Sequence, residues 1–291
     1  MLRCTSVLCG LGLLVGCGGT DATGPDAAAC TVNCQSAALL GASNLVTVTH
    51  EASAPSFTQI EGVAYSPAPP SIFSITATRS GCRWLSYDGN ACGAPCEFGQ
   101  FCAAGTCQTW PEGTDLGALT IAGVRTAPIT LTAQLGGGYQ WADEGTLAAN
   151  DISLTVDASQ GFVPATITAR MPQPLVPDHD WSAALDARAA GADVALRWQA
   201  PDPGARIYLR MTTGIGTHGG ISPVEVECDV EDTGTLTLPG DQLDALFADG
   251  WACGECGLNE VYRYRAGAAD VGLPDPLVFA LQTRSTFYFH P

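Results

Sequence analysis

Between Asn44 and His50 the chain alternates apolar and polar side chains, Leu45-Val46-Thr47-Val48-Thr49. A period of two marks a strand with one face buried. The same alternation recurs at residues 72–78, 119–124, 129–135, 152–156 and 166–169. Residues 67–70, Gly136-Gly137-Gly138 and Ser159-Gln160-Gly161 separate these runs, and their Pro, Gly and Ser favour turns. Short strands so spaced predict a sandwich. A second series opens near Pro172, with strands expected around Trp198, at 206–211 and at 262–266. There Val194, Leu196 and Trp198 share one face and Arg197 and Gln199 the other, until Pro201, which has no N–H for a ladder, ends the run. One helix is predicted, where Leu243, Leu246 and Phe247 fall at helical spacing behind a Pro239-Gly240-Asp241 cap.

Leu196-Arg197-Trp198-Gln199-Ala200-Pro201, followed by residues 206–211, resembles the second and third strands of a fibronectin type III domain. In that family a core tryptophan is followed shortly by proline. Pro174-Leu175 would open the first strand, and Tyr262-Arg263-Tyr264-Arg265-Ala266 a later one with a core tyrosine. The chain departs from the family at Cys253 and Cys256 and at the helix, so the resemblance implies an immunoglobulin-like sandwich rather than strict type III topology. The expected fold class is mainly β, with two β-sandwich-like domains at 36–172 and 173–291. The first carries a disulfide-rich insert at 82–107; the second is immunoglobulin-like. Residues 96–107 resemble the small cysteine-rich knobs of extracellular proteins, which often serve contact roles.

The N-terminus reads as an export signal. Arg3 supplies the charge, residues 7–14 a short apolar stretch, and Val15-Gly16 the small residues of a cleavage site. The tetrad Leu14-Val15-Gly16-Cys17 resembles the lipobox of bacterial lipoproteins. That resemblance implies removal of residues 1–16, lipid attachment at Cys17, and a place in the bacterial cell envelope, at the outer membrane or cell surface. Residues 17–35 then form the lipidated start and a tether. Its small polar stretch, 18–29, has a reach of roughly 20 Å. No second apolar run approaches the ~20 residues of a spanning helix. Two or three acyl chains would hold the membrane instead, each buried methylene contributing about 0.8 kcal/mol.

Charge narrows the partners. The chain has 12 arginines, no lysine and 29 acidic residues, for a formal net charge of −17. Such a surface repels phosphate backbones, so no nucleic acid is expected as partner. The lack of lysine excludes Schiff bases, P-loop lysines and serine–lysine dyads. Ten cysteines follow Cys17: Cys30 and Cys34, then Cys82, Cys92, Cys96, Cys102 and Cys107, then Cys228, Cys253 and Cys256. An even count in an exported chain reads as disulfides. In groups of two, five and three, complete pairing requires a bridge between groups, most simply from the middle cluster to the C-terminal trio.

Candidate chemistry is sparse. The histidines are His50, His179, His218 and His290, with no metalloprotease pair and no Gly-x-Ser-x-Gly elbow. Asp178-His179-Asp180 is the densest acid–base cluster, read first as a solvated linker and second as a general base or metal site. Glu225, Glu227, Asp229 and Glu231 would share one strand face. They read first as an exposed acidic face and second as oxygen ligands for calcium. Trp251-Ala252-Cys253-Gly254-Glu255-Cys256 reads as a structural disulfide before a redox or zinc site, since Cys228 supplies only a third ligand. Tyr139 and Trp141, after the glycine run, read as packing or as a platform for a sugar ring. No cofactor and no catalytic residue is expected. The function expected is a non-enzymatic binding or interaction module for an envelope protein or glycan. The alternatives are an envelope hydrolase with carboxylates drawn from both domains, and a glycan-binding lipoprotein.

Overall fold

The computed structural model describes residues 35–36, 39–88, 91–94, 96–97, 100–212, 222–249 and 259–287. The first half of the chain forms β1 (Gln35–Ser36), β2 (Leu45–Glu51), β3 (Phe57–Val63), β4 (Ser74–Arg79), β5 (Cys82–Ser86) and the hairpin β6 (Gln100–Ala103) and β7 (Thr106–Thr109). Then come β8 (Leu119–Ala122), β9 (Ile129–Leu131), β10 (Tyr139–Glu144), β11 (Asp151–Val156) and β12 (Ala165–Arg170). The second half adds α1 (Trp181–Asp186), β13 (Val194–Arg197), β14 (Arg206–Thr212), β15 (Val224–Glu231), β16 (Thr235–Leu238), α2 (Gly240–Asp249), β17 (Asn259–Ala269) and β18 (Leu277–Phe287). Among the described residues strands hold 47% and helices 7%, so the class is mainly β.

One ten-stranded sheet organises the molecule, in the order β10-β3-β2-β18-β17-β14-β15-β5-β4, with β1 paired to β17. Its pairs are antiparallel except β18 with β2. Two cores lie under its two halves. Under β10, β3, β2 and β18, the four-stranded sheet β12-β11-β8-β9 closes a sandwich. Val46, Val48 and Ile60 there meet Leu119, Ile121, Ile152 and Leu154. Under β17, β14, β15 and β5, the pair β13–β16 and the two helices close a second sandwich around Trp84, Trp181, Trp198, Ile207, Leu209 and Val226. With β15, β14, β17 and β18 side by side opposite β13 and β16, the second unit has an immunoglobulin-like layering.

The units share strands across residue 172. β4 and β5 precede it yet pair onto β15, while β18 follows it yet pairs onto β2. Each core is therefore completed by chain from the other half.

Trp198 packs into the second core with Val194 and Leu196, as the alternation predicts, while Arg197 and Gln199 are exposed. The helix α2 also forms, burying Leu243 and Leu246. Its first amide is capped from elsewhere: Gly240 N–H donates to Asp193 Oδ1 at 2.8 Å. β9 stops at Leu131, and Leu135, expected in that strand, is fully exposed on the turn before β10. β18 escapes a period-two reading because Leu277-Val278-Phe279-Ala280-Leu281 is buried on both faces. The inner face meets the first core, and the outer face lies under Leu39 and Ala42.

Among the described residues three disulfides mark an extracellular or oxidising environment. Cys92–Cys102 and Cys96–Cys107 staple the β6–β7 hairpin, and Cys82–Cys228 joins β5 to β15. The last joins the middle cluster to the C-terminal trio, the simplest of the bridges between groups that parity allowed. It closes a loop of 146 residues, for which chain entropy gives about 5 kcal/mol. Cys17, Cys30, Cys34, Cys253 and Cys256 lie outside the described residues, as do His218, His290 and Trp251. Among the described residues no helix is long and apolar enough to cross a membrane.

Candidate functional site

Opposite its two cores, the ten-stranded sheet carries a polar outer face. Alternation sets Glu225, Glu227 and Asp229 of β15 on it, as expected, but the neighbouring strands supply cations and phenols to the same face. Across from Asp229 and Glu227 lie Tyr208 and Arg210 of β14, and across from those lie Tyr262 and Glu260 of β17.

The groups are joined pair by pair. Arg210 binds Glu225 through two bonds, Nε to Oε2 at 3.1 Å and Nη2 to Oε1 at 3.0 Å. Arg83 of β5 reaches Glu227 through Nε at 2.8 Å, and the Tyr208 hydroxyl donates to the other Glu227 oxygen at 3.0 Å. Tyr262 donates to Glu260 at 2.6 Å, and Arg284 of β18 bonds both Glu260, at 3.1 Å, and Glu51. Asp229 takes Nε of Arg206 at 2.7 Å and the Tyr264 hydroxyl at 2.7 Å. Leu39 and Leu40 fold over this end, their amides donating to Tyr264 Oη at 3.2 Å and Asp229 Oδ2 at 3.1 Å.

These contacts correct the calcium reading of Glu225, Glu227, Asp229 and Glu231. Three of the four carboxylates are each held by a guanidinium, and Glu231 is exposed. A guanidinium fork satisfies both the charge and the oxygen lone pairs that a hard cation would otherwise take. Burial raises the Glu225 carboxyl above the ordinary range, although Arg210 opposes the shift. Burial also raises the phenols of Tyr208, Tyr262 and Tyr264, and the adjacent carboxylates Glu227, Glu260 and Asp229 add to it. Burial works against the Arg210 charge, but Glu225 more than restores it and its pKa ends above the usual value.

Between this network and the chain that folds over it is a cleft of about 930 Å³. Tyr208, Arg210, Glu227 and Tyr262 line it together with Leu45, Phe73 and Trp110. Trp110 follows the cysteine-rich hairpin and is 44% exposed. Its ring lies 4.1 Å from that of buried Phe101, which fixes its orientation. Among the ionisable residues of the lining, two arginines face four glutamates, which disfavours anions.

Tyr139 and Trp141 do not form a sugar platform. Tyr139 is buried in the first core, where its hydroxyl accepts from Leu116 N at 2.8 Å and donates to Gly117 O at 3.1 Å. Burial lifts its pKa to about 12. Trp141, on the same face, packs against that core with the Arg125 guanidinium 5.1 Å from its ring centre. The glycine run serves backbone approach instead. Gly137 has φ +79°, and a Cβ there would lie 2.1 Å from Gly113 O.

The other clusters take structural places. Asp180 caps α1, accepting from Ala183 N at 3.1 Å, and Asp178 bonds His179 and lies 3.6 Å from Arg197. Cys228 is bonded to Cys82, which removes it as a zinc ligand. The sulfurs of Cys92, Cys96 and Cys107 lie within 4.8 Å of one another, but all three are oxidised.

Sequence reasoning found Glu225 and Glu227 of the cleft but missed Glu61, Glu260, Arg83, Trp110, Tyr208, Arg210 and Tyr262. A signal was present. Arg206-Ile207-Tyr208-Leu209-Arg210 and Glu260-Val261-Tyr262 carry charges and phenols at period two, complementary to Glu225-Val226-Glu227.

No family model matches the chain, and no curated protein matches it. Among solved structures it is similar to a tetra-tandem repeat in the extending region of a large adhesion protein. The identity is 11% and the TM-score 0.16, over 79% of this chain and 56% of that one. The chain thus spans little more than half of that structure, and at that TM-score the likeness carries no argument.

Proposed function

We propose that the protein is a lipid-anchored, disulfide-stabilised cell-envelope protein acting as a non-enzymatic binding module, with the outer cleft as its ligand site. The observation that carries this reading is the pairing inside the cleft. Glu225, Glu227 and Glu260 are each already bonded to an arginine or a tyrosine. Groups so held present fixed hydrogen-bonding atoms rather than a proton poised for transfer. The ligand class that suits the cleft is a neutral glycan. Trp110 offers a half-exposed indole of fixed orientation for stacking, the locked carboxylates and guanidiniums offer hydroxyl partners, and the acidic excess excludes polyanions. Anchorage through Cys17 rests on the Leu14-Val15-Gly16-Cys17 tetrad, and the disulfides are in keeping with export.

Two measurements test the reading. Cys17→Ser should abolish the acyl mass on the N-terminal peptide of protein purified from envelopes, and an unlipidated wild-type peptide would refute the anchor. Trp110→Ala should keep its disulfides and circular dichroism yet bind neutral envelope polysaccharide about tenfold more weakly. Equal binding by variant and wild type would remove the cleft as the site.

A further inference from the structure

β18 is bonded to β17 over its whole length but to β2 only from Val278 to Gln282. The Val278 amide donates towards β2, to Asn44 O at 2.9 Å. Alternate residues of a strand aim their N–H and C=O groups at the same edge, so Gln282, Arg284 and Thr286 point the same way as Val278. Beyond Gln282 the ladder with β2 ends. Among the described residues, the peptide groups of Arg284 and Thr286 have no backbone partner on that edge.

Arg284 and Thr286 on that edge are exposed. The edge borders a second cleft of about 970 Å³, walled by residues 50–53 at the end of β2 and by the 172–175 linker, with residues 283–286 along one side. An unpaired row of amides and carbonyls at strand spacing is complementary to another peptide backbone and to few other ligands.

We propose that this cleft takes an extended basic peptide, which adds to β18 as a strand beside Arg284 and Thr286. The charge at its outer lip selects the sign. Glu51 and Glu260 both bond the single guanidinium of Arg284, two carboxylates on one cation, on a chain of net charge −17. Towards the cores, Leu147, Met171 and Leu175 line the cleft beside Arg265 and Arg170, whose charges are taken up by Asp202 and Asp151. A strand laid along β18 turns alternate side chains to these two sides, so lysine or arginine faces Glu51 and Glu260 while aliphatic residues point inward. The peptide cleft is distinct from the proposed glycan cleft and stands if that reading fails.

The probe is an acetylated, amidated hexapeptide of alternating lysine and valine, with glutamate in place of lysine as control. In the free full-length protein the amides of Arg284 and Thr286 should exchange rapidly with deuterium, and binding of the lysine peptide should protect them. Thr286→Pro deletes one open donor without touching the β17 ladder and should weaken binding about tenfold. Glu51→Gln should weaken it by a smaller factor, and the glutamate peptide should not bind. N-methylation of the peptide at one alternate set of residues should abolish binding to wild type while methylation of the other set is tolerated, a readout independent of how the variants fold. Protection of both amides before peptide is added, equal binding by Thr286→Pro, absence of binding by the lysine peptide, or indifference to methylation would each overturn the proposal.

Discussion

Nε of Arg263 lies 2.8 Å from Oδ2 of Asp232, with both side chains shut off from solvent between the two cores. Nε makes no hydrogen bond there, so the contact is one of charge. The terminal nitrogens of Arg263 donate instead to backbone oxygens, Nη1 to Pro174 at 2.8 Å and Nη2 to Ala200 at 3.0 Å. Asp232 in turn accepts from Trp198 Nε1 at 2.6 Å and Asp202 N at 2.8 Å. The linker between the units, the turn after β13 and the end of β15 are thus pinned at one point.

Arg263→Met should therefore destabilise the protein by about 3–5 kcal/mol, since removing one partner leaves a buried carboxylate without its charge. Arg263→Lys should rescue little, because one ammonium lacks the fork that reaches carbonyls on two segments. Urea unfolding of both variants measures this, and a wild-type midpoint for Arg263→Met would remove the junction from the account of stability.

Trp198→Ala should cost about 3–5 kcal/mol, the usual range for a buried indole. Arg197→Ala, one residue away on the exposed face, should stay within about 0.5 kcal/mol. Thermal unfolding distinguishes them. Equal midpoints for Trp198→Ala and wild type would mean that the second core is misplaced.

His50 gives a pH dependence of known sign. Burial lowers its pKa from 6.5, with a smaller contribution from Arg125, and Nδ1 is bonded to the Thr58 hydroxyl at 2.9 Å. The unfolded chain then binds the proton more readily than the folded one, so this part of stability is present above pH 6.5 and is lost as pH falls through the lower folded value. His50→Gln should flatten the fall in stability from pH 7.5 to pH 5 relative to wild type. Parallel curves would show that His50 titrates freely.

Replacing both Cys82 and Cys228 by alanine should lower stability by about 2–5 kcal/mol, the range for a native bridge. Opening Cys92–Cys102 and Cys96–Cys107, whose sequence separations are only 10 and 11 residues, should loosen the hairpin beside Trp110 and leave both cores intact. Alkylation of the denatured, unreduced protein should find no free thiol among the ten cysteines after Cys17.

Much of the local structure was legible. Alternation in β2, β11 and β14 depends only on neighbours along the chain, and so does the face shared by Val194, Leu196 and Trp198. Cysteine parity called for a bridge between groups, most simply from the middle cluster to the C-terminal trio, since pairing is a matter of counting. The candidate site was half legible: Glu225 and Glu227 stand out as a run, whereas Arg83 and Arg210 look like isolated charges until β5 and β14 are laid beside β15.

The sequence by itself determined strand content, the export-like start, the acidic character and which residues share a face. Tertiary structure alone decided which face turns inward and which strands are neighbours. Tyr139 and Trp141 show the first point: a period of two sets them on one side of β10, but only the sheet β12-β11-β8-β9 packed against that side makes it interior. Glu227 shows the second, since its partner Arg83 lies 144 residues away. β18 shows both, because its ladder with β2, a strand from the other half of the chain, ends at Gln282, and among the described residues the peptide groups of Arg284 and Thr286 have no backbone partner on that edge.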